Sequence, residues 1–530
     1  MQKKNLLASV ALFGQFYNSD NYKDIISIIG DFIKGAILLK KKFSVTPYEI
    51  KILLEETYDF QLPESVIRTV LHSALKNDVE SEKGNYCFKE SIANNYEDLT
   101  GELEKKESIS DSIFAELKEY IAEKESRILS SEDETILFNN FTQYLFDNGS
   151  SERYTNHICT FIVKIDKDGI NNLNEIREGL ILYQGIKYTS NLNKTEKWDQ
   201  SLIIYLNTEY LFNALGYNGV LFKDIFSDFH KLVGEINQGK QGKRIYLKIF
   251  PETVDEIESF FYSAESILKR KQKLRPWKTA MKFLVEDCKE PSDIINKKVS
   301  FYKDLENLGI KKQEFDLDFE EYAEFNVDDP VVIEELKKMS KTKNRTFDED
   351  GCAYFFKIFS KINYFRKGKN DRSFEKIGHI FITDSSFGKY LGHNNSVKIK
   401  NSDVSFAKDI DYVTTRFWIK LKKGFSEKTE FPKSFNVLTK ARIILSSQIN
   451  SSLSKEKDKL VEETNSGKLS EEEALERSYA LRQKPNLPMD LNSENIESTF
   501  DFLNNEDYLQ NIYQEKIRKD QLIVDTQKKN

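Results

Sequence analysis

Two side chains that can offer oxygen to a cation stand directly after buried-looking apolar runs, Asn207 after Leu202-Ile-Ile-Tyr-Leu206 and Asp384 after Ile380-Phe-Ile-Thr383. Two more acids open helical patterns, Glu256 after Pro251 and Asp350, with its neighbour Asp348, before an apolar helix. Glu209 follows Asn207 by two residues. Three or four carboxylates brought to one place repel one another unless a cation lies between them. A hard divalent ion with oxygen ligands, Mg²⁺ or Mn²⁺, satisfies such a cluster and supports attack of activated water on a phosphodiester. The alternative for each acid is local: Glu256 and Asp350 as solvated first-turn residues favoured by the helix dipole, and Asp384 as the cap of the helix after its strand.

The elements that must position these groups alternate between strand and helix. Leu202–Leu206 is continuous and rich in β-branched residues, the pattern of a central strand covered on both faces. A helix follows beyond Gly216, and 243–250 reads as a second strand running into a Pro251 helix with Thr253 as its cap. Residues 262–340 read as a long, mostly helical insertion, and a helix is predicted over about 348–363. A strand over 380–382 leads into Thr383 and Asp384, and another helical region begins near Asp411. Alternation of this kind predicts an α/β fold, a parallel sheet flanked by helices, whose strand ends and following helix starts share one edge. Ligands of such sheets bind at the carboxyl ends of strands.

The order Ile-Tyr-Leu-Asn-Thr-Glu (204–209), Pro-Glu-Thr-Val-Asp-Glu-Ile (251–257), Asp-Glu-Asp (348–350) and Phe-Ile-Thr-Asp-Ser (381–385) resembles the PIN-domain nucleases over about residues 200–395. The resemblance implies a PIN-like, metal-dependent endonuclease acting mostly on single-stranded RNA and sometimes on DNA flaps. It implies Asn207, Glu256, Asp350 and Asp384 as catalytic positions, with Glu209 and Asp348 as further metal ligands. Asn207 stands where the family has its first aspartate, and an amide brings an oxygen without the charge. Three readings follow: a natural inactive protein, substitution by Glu209, or an engineered aspartate-to-asparagine change. The setting implied by analogy is a toxin or anti-phage effector. The competing class is a catalytically inactive scaffold or nucleic-acid-binding regulator.

Arg345, Lys343, Arg416 and Lys420 are candidates for phosphate contact, against the plainer reading of exposed cations. Phe417 and Trp418 read as core. The five histidines show no ligand spacing, and His379, leading a strand, reads as structural.

The rest of the chain is organised around this domain, taken as 199–425. Residues 1–100 carry helix, turn, helix and hairpin in the order of a winged helix. Thr46-Pro47 opens the first helix, 63–76 forms the second, and two extended pieces flank Lys83-Gly84-Asn85. The second helix carries Glu64, Arg68, His72 and Lys76, a weak basic surface that favours a protein-protein or dimerisation module over nucleic-acid recognition. Residues 101–198 read as a mostly helical connector and 426–530 as a helical C-terminal region with a turn at Asn465-Ser-Gly467. With 79 basic and 86 acidic residues in 530 and a net charge of −7, the totals indicate no general polyanion-binding surface. Four cysteines, isolated and far apart, suggest neither a disulfide framework nor a zinc knuckle, so a reducing cytoplasm is expected. The apolar stretch 25–39 is broken by Asp31 and Lys34, so no membrane is expected. The partners expected are nucleic acid and a protein partner or trigger, with homo-oligomerisation open.

Overall fold

A computed structural model describes residues 2–22, 24–82, 84–95, 99–146, 153–187, 200–239, 242–271, 274, 279–314, 318–328, 330–342, 347–394, 397, 403–421, 423, 429–485, 487–505 and 508–527. The chain forms two compact units, residues 1–195 together with 422–530, and residues 196–421.

In the first unit a capping box starts the Pro47–Tyr58 helix, with Thr46 accepting from the Glu49 backbone and Glu49 reaching back to the Thr46 backbone. The next helix, Glu64–His72, is shorter than 63–76, although Leu75 stays buried. Strands β1 (Ser44–Val45), β2 (Val79–Glu82) and β3 (Asn85–Phe88) form an antiparallel sheet in the order β1-β3-β2. The Gln2–Asn18 and Lys167–Lys187 helices cross so closely that a Cβ on Gly179 would lie 1.8 Å from the Val10 carbonyl oxygen. The 29-residue Val437–Asn465 helix ends before Gly467, whose φ of +71° turns the chain back. The stretches read as module, connector and C-terminal region therefore contribute to one unit. Among the described residues, no helix is long and apolar enough to cross a membrane.

The second unit is an α/β fold around five parallel strands, β4 (Leu202–Leu206), β5 (Ile245–Ile249), β6 (Ile310–Lys312), β7 (His379–Ile382) and β8 (Ala407–Lys408). Their order is β6-β5-β4-β7-β8. The chain steps outward from β4 through β5 to β6, then returns to lie on the other side of β4 as β7. The order reverses between β4 and β7, and an open sheet leaves its ligand crevice beyond the carboxyl ends of that pair.

Two strands depart from the sequence reading. β6 lies inside the stretch read as helical insertion, and β8 was not anticipated. With three and two residues they are too short to show a period, and only pairing with β5 and β7 makes them strands. Gly309, at φ +72°, turns the chain from the Pro291–Asn307 helix into β6. Thr253 is also corrected: Pro251 occupies the first turn after the Phe250 cap, and Thr253 is fully buried rather than capping.

One face of the sheet carries Tyr205 and Phe381 against Phe355, Phe356 and Phe359 of the Glu349–Arg366 helix. The Val220–Gln238 and Ile410–Lys420 helices pack together through Phe229 and Phe417, with Trp418 buried. His379 lies 4.9 Å ring to ring from Phe365 and beside Tyr205. Burial, reinforced by Arg366 and Lys248, lowers its pKa to about 4.

Because the unfolded histidine takes up its proton near 6.5, the unfolded state binds more protons between pH 6.5 and 4, and stability falls as pH falls through that window. The expected loss is on the order of 2 kcal/mol, absent from His379→Phe. It is measurable by urea titration at pH 4.5 and 7. All three tryptophans, Trp198, Trp277 and Trp418, belong to residues 196–421, so tryptophan fluorescence follows this unit alone.

Candidate functional site

The β4 backbone delivers Asn207 to the sheet edge, where its N–H donates to the Ile382 carbonyl at 3.0 Å and extends the ladder to β7. Its side chain is buried. Nδ2 donates to Thr383 Oγ1 at 3.1 Å and Oδ1 accepts from the Tyr354 hydroxyl at 3.2 Å. Thr383 Oγ1 also accepts from the Ser385 N–H. One amide thus joins the ends of β4 and β7 to the Glu349–Arg366 helix, with both of its polar atoms satisfied.

Three carboxyls surround this knot. Glu256, in the second turn of the Pro251–Leu268 helix, accepts from the Thr208 hydroxyl and shares Tyr354 with Asn207. Asp384 accepts from the Tyr210 hydroxyl, whose oxygen in turn accepts from the Ile410 N–H at 3.0 Å. Glu209, in the first turn of the Thr208–Leu215 helix, makes no side-chain hydrogen bond or ion pair among the described residues. The enclosing protein raises the proton affinity of Glu256, against the hydrogen bonds from Thr208 and Tyr354. Burial likewise raises Asp384, with Asp409 adding to it and Lys389 and Tyr210 opposing. Glu209 is pushed up to about 7 by burial first and then by Asp384 and Glu256, with Lys389 opposing. By surface area all three side chains remain open to solvent on one side. Water therefore screens their repulsion and keeps its energetic cost small.

Four side chains in this arrangement are capable of chemistry, Glu209, Glu256, Asp384 and Lys389. A carboxyl titrating near neutrality is suited to general acid or base work. The three acids supply the oxygen donors and negative charge that a divalent ion needs, and their mutual repulsion is what such an ion relieves. Lys389, paired with Asp409 at 3.6 Å, is the cation that acts on Glu209 and Asp384. Among the described residues, however, no three acidic, histidine or cysteine side chains are close enough to share one ion. The hydrogen bonds from Thr208, Tyr354 and Tyr210 hold Glu256 and Asp384 in positions they must leave to do so.

The structure brings Asn207, Glu209, Glu256 and Asp384 to this edge and leaves the remaining sequence candidates outside it. Asp348 caps the Glu349–Arg366 helix, accepting from the Gly351 N–H at 2.9 Å. Asp350 is exposed in the same first turn, four residues before Tyr354, and has no side-chain bond among the described residues. The cap after β7 is Ser385 rather than Asp384. Arg416 stacks over Tyr412, and with Lys420 lies ~9–15 Å along its helix from the sheet edge. Arg345 and Lys343 fall outside the described residues. Thr208, beside Asn207 at the strand end, is where the sequence placed it; sequence reasoning missed Tyr210, Tyr354 and Lys389. The signal available for Tyr354 was its position one turn after Asp350, on the same helix face.

Glu209→Gln tests the repulsion. Because the folded pKa lies above the unfolded value of 4.5, the folded state binds more protons between pH 4.5 and 7, and stability falls as pH rises through that window. The glutamine variant is expected to melt ~2 °C higher than the parent at pH 8 and alike at pH 4.5, followed by tryptophan fluorescence.

Comparison with protein-family models, curated proteins and solved structures finds no match to this chain, so its function rests on the geometry of this edge alone.

Proposed function

We propose that the sheet edge between β4 and β7 is the active site of a PIN-like, divalent-metal-dependent endonuclease that hydrolyses phosphodiester bonds, RNA in preference to DNA. The observation that carries this reading is the convergence of Glu209, Glu256 and Asp384 at the point where strand order reverses, each with raised proton affinity. Glu209 and Asp384 would hold Mg²⁺ or Mn²⁺, with Glu256 joining once Thr208 releases it. When bound, the ion would supply activated water at neutral pH. Asp350 would approach from the first turn of its helix, and Lys389 would face the phosphate.

Residues 1–100, with the Pro47–Tyr58 and Glu64–His72 helices and the three-stranded sheet, are read as a winged-helix-like docking module for a protein partner or trigger. Toxin or anti-phage action within a cytoplasm is the setting this reading fits. A second reading has its own support: the Asn207 amide is fully hydrogen-bonded where an aspartate would add charge. On that reading the chain is an inactive PIN-fold scaffold or nucleic-acid-binding regulator. Incubation of labelled single-stranded RNA and DNA with Mn²⁺ separates the two. Cleavage that requires Asp384 supports the nuclease, and retained binding with no cleavage by any form supports the regulator.

A further inference from the structure

The segment between β5 and β7 is divided by charge. Residues 269–312 hold thirteen Lys and Arg against six Asp and Glu, in a chain whose net charge is −7. Residues 313–336 hold ten Asp and Glu and no Lys or Arg. The described helices and strand of the basic half are in contact with one another. The Pro251–Leu268, Thr279–Val285 and Pro291–Asn307 helices pack against one another, and the last packs against edge strand β6. Arg270, Lys271, Lys282, Lys303 and Lys311 on it are exposed and make no side-chain hydrogen bond or ion pair among the described residues. Two exposed rings lie on the same helices, Tyr262 on the first and Phe283, packed against Tyr217 with Lys297 over it, on the second.

This surface begins beside the acidic edge. The Pro251–Leu268 helix carries Glu256 on one flank, and two residues on Glu258 is bonded to Lys298 at 2.8 Å and Tyr302 at 2.9 Å. Lys312, level with the end of β5, sits 4.2 Å over the Tyr302 ring. From there the helix extends ~27 Å in all to Lys269 and Arg270. Exposed cations without partners lose little on meeting phosphate and release its counterions. Exposed rings accept unpaired bases without regard to sequence.

We infer that the surface carrying Arg270, Lys271, Lys282, Lys303 and Lys311 binds single-stranded RNA through its phosphates, and that the strand reaches the acidic edge from the β6 side while the acidic half repels it. This rests on the nuclease reading for the strand's destination and not for the binding itself.

The test is fluorescence anisotropy of the full chain with a labelled 20-nucleotide oligouridine, in EDTA, across a salt series. A Lys282→Ala/Lys303→Ala/Lys311→Ala variant is expected to bind ~10-fold more weakly at 0.1 M salt, with a salt slope smaller by about 2. A Glu314→Gln/Glu320→Gln/Glu324→Gln variant is expected to bind as tightly as the parent or tighter. These positions are exposed, and an unchanged melting temperature shows that the variants fold. Equal affinity and slope for the lysine variant and the parent overturns the inference. So does preference for polyglutamate over oligouridine, which would mark a protein-docking face. Binding is read without metal, so an inactive but RNA-binding chain would sink the nuclease reading and leave this one standing.

Discussion

Asn207→Asp is expected to raise Mn²⁺-dependent cleavage of single-stranded RNA by at least ~100-fold, about 3 kcal/mol of barrier at 1.36 kcal/mol per tenfold. The same change combined with Asp384→Ala is expected to return activity to background. The existing hydrogen bonds accommodate the change. Tyr354 already donates to the Asn207 oxygen, and the Thr383 hydroxyl need only turn to donate where it now accepts from Nδ2. What changes is charge: a fourth carboxylate joins Glu209, Glu256 and Asp384. In EDTA that addition costs stability, because the new charge is buried at position 207 and faces the neighbouring carboxyls. In Mn²⁺ the sign reverses, because an ion bound only by the folded state stabilises it by mass action. The paired readout is a melting temperature lower than the parent in EDTA and higher in millimolar Mn²⁺. An Asn207→Asp chain that neither cleaves RNA nor responds to Mn²⁺ would establish the amide as a structural tie and favour the inactive-scaffold reading.

Lys361→Met is expected to destabilise residues 196–421 by about 3 kcal/mol, the lower end for breaking a buried ion pair. Lys361 is almost fully buried, its Nζ 2.6 Å from Glu252 Oε1, and the more exposed Lys357 approaches the same oxygen at 2.8 Å. Burial alone would raise the Glu252 pKa, but the two ammonium groups outweigh it and hold the carboxyl below its ordinary value. The pair therefore adds stability above the ordinary carboxylate range, and that stability is lost as pH falls. Removing Lys361 leaves Lys357 to neutralise the acid from the solvent side. The predicted fall in melting temperature is ~6–12 °C for a unit of this size. Adding Glu252→Leu removes the orphaned charge, so the double variant is expected within ~1 kcal/mol of the parent. A double variant no more stable than Lys361→Met alone would mean that the pair's geometry matters more than its charge. Glu252 lies one turn before Glu256, so the single variant is also expected to loosen the site and lower any cleavage activity.

The two experiments act on different layers of the same edge. The first changes the charge that faces the ligand. The second changes the buried pair that fixes the helix carrying Glu256, and it leaves the exposed carboxyls untouched. An effect of Lys361→Met on activity without an effect of Asn207→Asp would locate the chemistry away from the β4 end.

The local pattern was sufficient for the central elements. β4, β5 and β7 were legible because short stretches dominated by apolar and β-branched residues carry their own signal, and the Thr46-Pro47 and Asp348 starts because capping depends on three or four consecutive residues. Asn207 and Asp384 were placed at strand ends for the same reason. β6 and β8 lay beyond such reasoning, since a strand of two or three residues exists only through its neighbour. The order β6-β5-β4-β7-β8, and the crevice it opens beside β4, follow from where long connections return. The hydroxyls of Tyr210 and Tyr354 reach their acceptors across 174 and 147 residues of chain. No spacing rule foretells such contacts, because they are set by how two faces of a sheet are covered. For that reason the sequence named Asp350 as an acid of the site, whereas packing put Tyr354, one turn later, against Asn207 and Glu256.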